Sequence, residues 1–164
     1  MSEQTAAPGP DGHDRDRVTV ERFIPAPAQA IFDLLADPAR HRDLDGSGHV
    51  LSPKAASDRL APGRSFAMSM RMGVPYSMVS TVVEFEEGRR IAWQTHGPTA
   101  VGRFFGGRIW RYELEPAAGG TVVRETWDIS KESPLTRPLV RPAAKATRRD
   151  MEATLARIEK LLAG

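Results

Sequence analysis

Between Ser65 and Ser130 the chain repeats one pattern: a strand-length segment, a short turn, another strand-length segment. Ser65–Met72 alternates, Ser77–Glu86 is rich in Val and Thr, and in Arg90–His96 the residues Ile91, Trp93 and Thr95 alternate with Ala92, Gln94 and His96. Gly73-Val74-Pro75 and Glu87-Gly88 supply the turns between these three. Arg108–Glu115 and Thr121–Ser130 read as a hairpin around Pro116–Gly120. Hairpin-length turns impose antiparallel neighbours, and an antiparallel sheet must bury one face. The only element long enough to cover that face is the last one. There Met151, Leu155, Ile158 and Leu162 form an apolar stripe at helical spacing, starting near Pro142. The pattern predicts an α+β chain with its sheet packed on a long C-terminal helix.

The N-terminal part fits that plan. Arg17 to Pro27 alternates, with Val18, Val20 and Ile24 on one parity, and reads as a strand ending at Pro25 and Pro27. A short helix follows through Ile31, Phe32, Leu34 and Leu35. Asp37-Pro38 starts a second one, expected to reach Arg42. A turn at Asp43–Gly48 and a short strand at His49–Ser52 come next. Residues 1–16 are Gly, Pro, Asp, Ser and charge, too polar to offset the entropy of ordering. They are expected to form a disordered tail, with residues 17–164 a single domain.

Composition removes several function classes. With no cysteine in 164 residues, a disulfide framework and thiolate chemistry are excluded. No apolar run approaches the ~18 residues of a membrane span, and residues 1–17 lack the apolar stretch of a secretory signal. The expectation is a cytoplasmic protein with no integral membrane segment. A net charge of +2 is too small to argue for nucleic acid. Its distribution is uneven: from Lys131 to Gly164 the segment carries +4, and the rest −2. Arg137, Arg141, Lys145, Arg148 and Arg149 would make a basic stripe on a helix. Either that stripe is a solvated face, or it meets an acidic protein, an anionic membrane surface or an anionic ligand. Separately from the stripe, a homodimer is the alternative to an acidic protein partner.

The segments VTVERFIPAPAQAIFDLLADP, RHRDLDGSGHV, VVEFEEGRRIAWQT and YELEPAAGGTVVRETWDI occur in an order that resembles the START-like helix-grip superfamily. More narrowly, the chain resembles the bacterial polyketide cyclase/dehydrase-type SRPBCC proteins. The resemblance covers roughly Arg17 to Ile129, with the terminal helix in its expected place. It implies a helix-grip fold: a curved antiparallel sheet of about six to seven strands wrapped around the C-terminal helix, with two short helices after the first strand. It also implies a cavity between sheet and helix.

Such a cavity gives meaning to Met68, Met70 and Met72, three thioethers on one parity of one strand. Methionine is unbranched and polarizable, and rearranges around a guest more readily than β-branched residues do. Trp93, Trp110, Trp127 and Tyr112 would add aromatic walls with orienting N–H and O–H groups. The alternative is that these side chains fill an irregular core. The expected ligand-lining set is Phe32, Leu35, Met68, Met70, Met72, Trp93, Trp110, Tyr112, Leu155 and Ile158. Phe104 and Phe105, in the loop GPTAVGRFFGG, would either gate the cavity or pack inward.

Chemistry-bearing patterns are few. HRDLDGSGH gathers His41, Asp43, Asp45 and His49, but it lacks the first acid and the last Glu of a calcium loop and reads as turn chemistry. No metal or other cofactor is expected. No GxSxG or phosphate loop occurs. His96, Glu125, Tyr76 and Asp128 are acid–base candidates, although charges on strands ordinarily face solvent. The leading functional reading is binding or transport of a small hydrophobic or amphipathic molecule (a lipid, polyketide or aromatic metabolite) without catalysis. A polyketide cyclase or aromatase would instead use His96 or Glu125 with Tyr76 or Tyr112. A third reading is an interaction or regulatory domain with a filled core.

Overall fold

A computed structural model describes residues 15–53, 58–97 and 106–163, apart from the side chains of Ser52, Pro53 and Met72. Its elements, in order, begin with β1 (Arg17–Ile24), α1 (Ala28–Leu35), a 3₁₀ turn at Pro38–Arg40 and α2 (His41–Leu44). Six strands follow: β2 (Val50–Pro53), β3 (Ser65–Met72), β4 (Val74–Glu86), β5 (Arg90–His96), β6 (Gly106–Ala117) and β7 (Gly120–Asp128). The chain closes with α3 (Arg137–Val140), a 3₁₀ turn at Arg141–Ala143 and α4 (Ala144–Ala163).

All seven strands form one antiparallel sheet in the order β1-β7-β6-β5-β4-β3-β2. β2 to β7 run as a meander, and β1 pairs with the last strand. The two short helices therefore carry the chain from one edge of the sheet to the other. Asp37 caps the turn after α1 by accepting the amide of Ala39 at 3.0 Å, and Pro38 stands at the first position, as the sequence suggests. This is the expected helix-grip architecture. α4 lies against the inner face with Met151, Leu155 and Ile158 buried, next to Val18, Val20 and Ile24 of β1.

Several boundaries differ from the sequence reading by a few residues, three of them with a clear physical reason. Val74 and Pro75 belong to β4, paired with Met72 and Arg71, so Gly73 alone makes the turn, at φ +78°. Positive φ is open to glycine at little cost. Pro75 is tolerated because it lies next to the hairpin end, where losing one N–H matters least. α2 runs two residues beyond Arg42, to Leu44, which is buried. The β6–β7 turn tightens to Ala118-Gly119, since Ala117 still pairs with Gly120.

The Asp-Gly-Ser-Gly turn is fastened to the terminal helix. A side chain at Gly46 would place its Cβ 2.2 Å from the Asp150 carbonyl oxygen and 2.5 Å from the Thr154 nitrogen. The Gly46 amide donates to Thr154 Oγ1 at 2.9 Å, and Arg157 Nη1 donates to the Asp45 carbonyl at 2.6 Å. Glycine here is a packing requirement: the helix backbone occupies the space of a side chain.

Candidate functional site

Cross-strand pairing fixes which residues share the concave face. Trp93 pairs with Trp110, Trp110 with Trp127, and Trp127 with Val18. One row away, Ile91 pairs with Tyr112, Tyr112 with Glu125, and Glu125 with Val20. On the other half of the sheet Met68 pairs with Met78, and Met70 with Tyr76. Side chains alternate across a strand, so these partners all project toward the helices.

Burial divides this face. Met68, Trp93, Tyr112, Trp127 and Glu125 are buried, whereas Met70, Tyr76, Met78 and Trp110 remain partly open to solvent. Val140 and Ala144, at the start of the terminal helical segment, are also partly buried against the core. The open apolar part thus lies over β3, β4 and the start of β6, and the closed part over β5, β7 and β1.

At the boundary stands a connected aromatic and polar chain. The His41 ring stacks on Trp93 with centroids 5.0 Å apart and meets Phe66 edge-on at 5.4 Å. Trp93 lies 5.6 Å from Tyr112. Tyr112 donates its hydroxyl hydrogen to Glu125 Oε1 at 2.8 Å, and Glu125 Oε2 is buried with no bonding partner. Burial pushes the Glu125 carboxyl from its ordinary 4.5 up to about 8. The Tyr112 bond works against this rise, and the negative charge of Asp45 adds to it. Burial also raises Tyr112 well above 10, helped by Glu125. At neutral pH both groups therefore hold their protons.

His41 is neutral too. Burial lowers it below 6.5, opposed by its bond from Nε2 to the Leu35 carbonyl at 2.8 Å. That bond requires the hydrogen on Nε2. The turn chemistry expected of HRDLDGSGH begins only at Asp45, because Arg42, Asp43 and Leu44 belong to α2. Asp45 Oδ1 accepts the Ser47 amide at 3.0 Å, and its Oδ2 the Val50 amide at 3.0 Å. Asp43 pairs with Arg40 at 2.9 Å. Among the described residues no group of three or more His, Cys, Asp or Glu is placed to hold a metal ion.

The acid–base candidates separate. Glu125 and Tyr112 are brought together. Tyr76 lies on the concave face opposite Met70, with burial as the main cause of its raised pKa. His96 pairs with Val79 on the opposite parity to Thr95 and Ser80, so it is on the convex face. Asp128 is on that side as well, accepting Arg17 at 3.0 Å and the Ser130 amide at 2.8 Å. The solvent-facing expectation for strand charges fails at Glu125. It shares a parity with Val123 and Trp127, and its pairing with Tyr112 places a polar partner beside it.

Of the expected lining residues, Phe32, Leu35, Leu155 and Ile158 are fully buried. Met68, Trp93 and Tyr112 are buried on the concave face, and Met70 and Trp110 are partly open there. The side chain of Met72 lies outside the described residues, as do Phe104 and Phe105. A further ion pair was not anticipated. Arg108, on the concave parity, meets fully buried Glu132 at 3.2 Å, and Glu132 also accepts the Thr136 hydroxyl at 2.6 Å. Its only sequence trace is an acid shortly after the last strand.

The convex face is of another kind. Arg111–Glu84, Arg124–Glu21 and Arg90–Glu113 pair across it at 2.5, 2.8 and 3.2 Å. A shallow polar groove of about 260 Å³ lies there, between Glu86, Arg89, Arg90, Glu113 and Arg124. The basic stripe is partly taken up by the chain itself. Arg137 donates to the carbonyls of Ser130 and Glu132, Arg141 pairs with Asp16 at 2.7 Å, and Arg148 donates to the Thr19 carbonyl.

Residues 15–163 match the model of the family described as polyketide cyclase/dehydrase and lipid transport. The chain belongs to that family. A similar protein is Rv0088 of Mycobacterium tuberculosis, 32% identical over 148 residues, which make up 87% of this chain and 62% of the relative. The chain thus spans under two thirds of that relative's length. Among solved structures, Ms6760 of Mycobacterium smegmatis superposes with a TM-score of 0.68 at 18% identity, covering 92% of both chains. The di-domain ARO/CYC protein StfQ of the steffimycin biosynthetic pathway gives 0.68 at 12% identity, over 90% of this chain and 50% of that one. At such identities the two structures show a shared fold. The family places ligand binding or cyclase chemistry in view without choosing between them. No helix among the described residues is long and apolar enough to cross a membrane.

Proposed function

We propose that the protein binds a small hydrophobic or amphipathic molecule against the concave face, between β3–β6 and the terminal helix. The observation that carries this reading is the divided burial of one apolar face. Met70, Met78 and Trp110 are only partly buried beside a well-buried core. An apolar surface left uncovered inside a curved sheet gains about 25 cal/mol per Å² when a guest covers it, before ordering costs. Methionines supply a wall that adapts to the guest's shape. Native mass spectrometry of the purified chain, followed by denaturing extraction, tests the reading. A mass excess that disappears on denaturation is expected. If the chain is clean and no lipid, polyketide or aromatic compound shifts its melting temperature, the reading is wrong.

A second reading, cyclase or aromatase chemistry, is favoured by one observation: Glu125 and Tyr112 form a hydrogen-bonded pair of protonated groups on that face. Ring closure of a poly-β-keto chain needs a base at the carbon α to a carbonyl and a donor at the carbonyl oxygen. The pair supplies the donor. This reading expects Glu125→Leu, which removes the donor, to slow turnover of a poly-β-keto substrate, and unchanged turnover would remove Glu125 from the chemistry.

A further inference from the structure

The outward face of a helix packed on a core is ordinarily its polar one. Between Ser133 and Thr147 the reverse holds. Val140 and Ala144 turn inward and pack on the core. Leu135, Leu139, Pro142 and Ala146, at spacings of four, three and four, are all exposed, with exposed Pro138 beside them. Leu135 and Leu139 are 67% and 77% exposed. A single exposed leucine needs no explanation, but an apolar row along three turns does. The row has a basic flank. Residues 131–149 hold six Lys or Arg and one acid, Glu132, which is buried against Arg108. Arg137, Arg141, Lys145 and Arg148 follow one another beside the row at helical spacing. Arg137 and Arg148 donate to carbonyls, which leaves their charge in place.

We infer that this row docks the protein on an anionic lipid surface. The leucines enter the boundary between headgroups and acyl chains, and the arginines and lysines meet the phosphates. Three observations favour lipid over a protein partner. Lipid offers no hydrogen bonds, so a segment that enters it must satisfy its own backbone. This one does: the Leu135 amide donates to Ser133 Oγ at 3.3 Å, those of Thr136 and Arg137 to the Ser133 carbonyl, those of Leu139 and Val140 to the Thr136 carbonyl, and that of Arg141 to the Arg137 carbonyl. Pro138 and Pro142 have no N–H to satisfy. The composition is the second observation. Protein contacts centre on Trp, Tyr and Arg seated in pockets, whereas this row is Leu, Pro and Ala on a convex helical surface. Charge is the third, because a second copy on the same face would bring two basic flanks to one seam. The inference is independent of the binding reading, since the row faces away from the concave side of the sheet.

Flotation of the full chain with two kinds of vesicle tests this, one of phosphatidylcholine alone and one carrying about 30% phosphatidylglycerol. At about 0.1 M salt the chain should float with the anionic vesicles and stay behind with the neutral ones, and about 0.5 M salt should release most of it. Leu135→Ser with Leu139→Ser should weaken binding about tenfold or more. Lys145→Gln with Arg149→Gln, two charges removed, should weaken it roughly thirtyfold. These side chains are exposed, so urea unfolding of both variants should match the wild type. With no cysteine in the chain, Leu139→Cys takes a single environment-sensitive fluorophore. Its emission should move to the blue on anionic vesicles, while the same label on Glu115→Cys, near the far end of β6, should not move. A wild type that ignores anionic vesicles overturns the inference. So does undiminished binding by the double serine variant, which would point to charge alone and an acidic protein. A dimer in analytical ultracentrifugation that the serine variant dissolves also overturns it, by placing a second copy on the row. Native mass spectrometry for a carried guest reads none of these outcomes, so the binding reading and this one fail separately.

Discussion

The two halves of the sheet do different work with similar strands. β1, β7 and the end of β6 bury Val18, Val20, Leu114, Val123 and Trp127 under α4, while β3 and β4 present Met70, Tyr76 and Met78 to a face that solvent still reaches. The first half uses branched and ring side chains with few rotamers. The second uses thioethers with three rotatable bonds. On the binding reading proposed above the two halves serve different ends: the stiff half holds the Tyr112–Glu125 pair in register, and the compliant half adapts to a guest. The difference is local, since both halves belong to one continuous hydrogen-bonded ladder.

The contrast can be broken most directly by truncation. Leu155→Ala and Ile158→Ala, on α4 where it covers the stiff half, should each cost about 2–5 kcal/mol in urea unfolding. Met70→Ala, half-open, should cost under about 1 kcal/mol. Similar losses at all three positions would show that the open half is packed as tightly as the closed one.

A pH titration of stability sharpens the comparison at the pair itself. Glu125 titrates near 8 when folded and near 4.5 when unfolded, so across that window the unfolded chain has released a proton that the folded chain keeps. Stability should fall as pH rises, by up to about 1.4 kcal/mol per unit, and the fall should level off above pH 8. Glu125→Gln should remove this slope, and a wild type whose slope matches the variant would place Glu125 in a wetter site. His41 acts in the other direction. Its folded pKa is lowered, so stability drops as pH falls below 6.5 and the unfolded chain takes up the proton.

The smallest effect belongs to the convex face. Arg124 and Glu21 are each about half exposed (43% and 51%), so Arg124→Gln should change unfolding free energy by about 0–1 kcal/mol. Binding of a lipid, polyketide or aromatic compound should be unaffected. A larger loss in either would mean that the arginine–glutamate lattice shapes the curvature of the sheet.

Much of the architecture is legible in the sequence because its signals are local. Alternation sets the strands, and the Met151–Leu155–Ile158 stripe sets the face of α4. The Gly73 turn was misread because proline is usually a breaker, whereas here the neighbouring glycine alone reverses the chain. The site is less legible because its facts are pairwise. That Glu125 meets Tyr112 depends on the β6–β7 register, which follows from how tight the Ala118-Gly119 turn is. A trace was present all the same: Val123, Glu125 and Trp127 lie on one parity, and a lone acid among apolar neighbours is out of place on a solvent face. His41 reads in the sequence as part of a solvated turn, whereas in the fold it is buried, with a carbonyl and an indole ring as partners.

An open sheet has two rims, and each rim is a template on which another molecule's strand can grow. β2, at one rim, is only four residues long and ends in proline. β1, at the other, has eight residues and no proline, and it carries half-exposed Phe23. Arg148 reaches from α4 to the Thr19 carbonyl on that strand at 3.1 Å. The guanidinium occupies an acceptor that an incoming strand would use, and it sets a positive charge where a neighbour's backbone would have to lie. Arg148 thus blunts this rim in the way that a charged side chain laid over an exposed strand does.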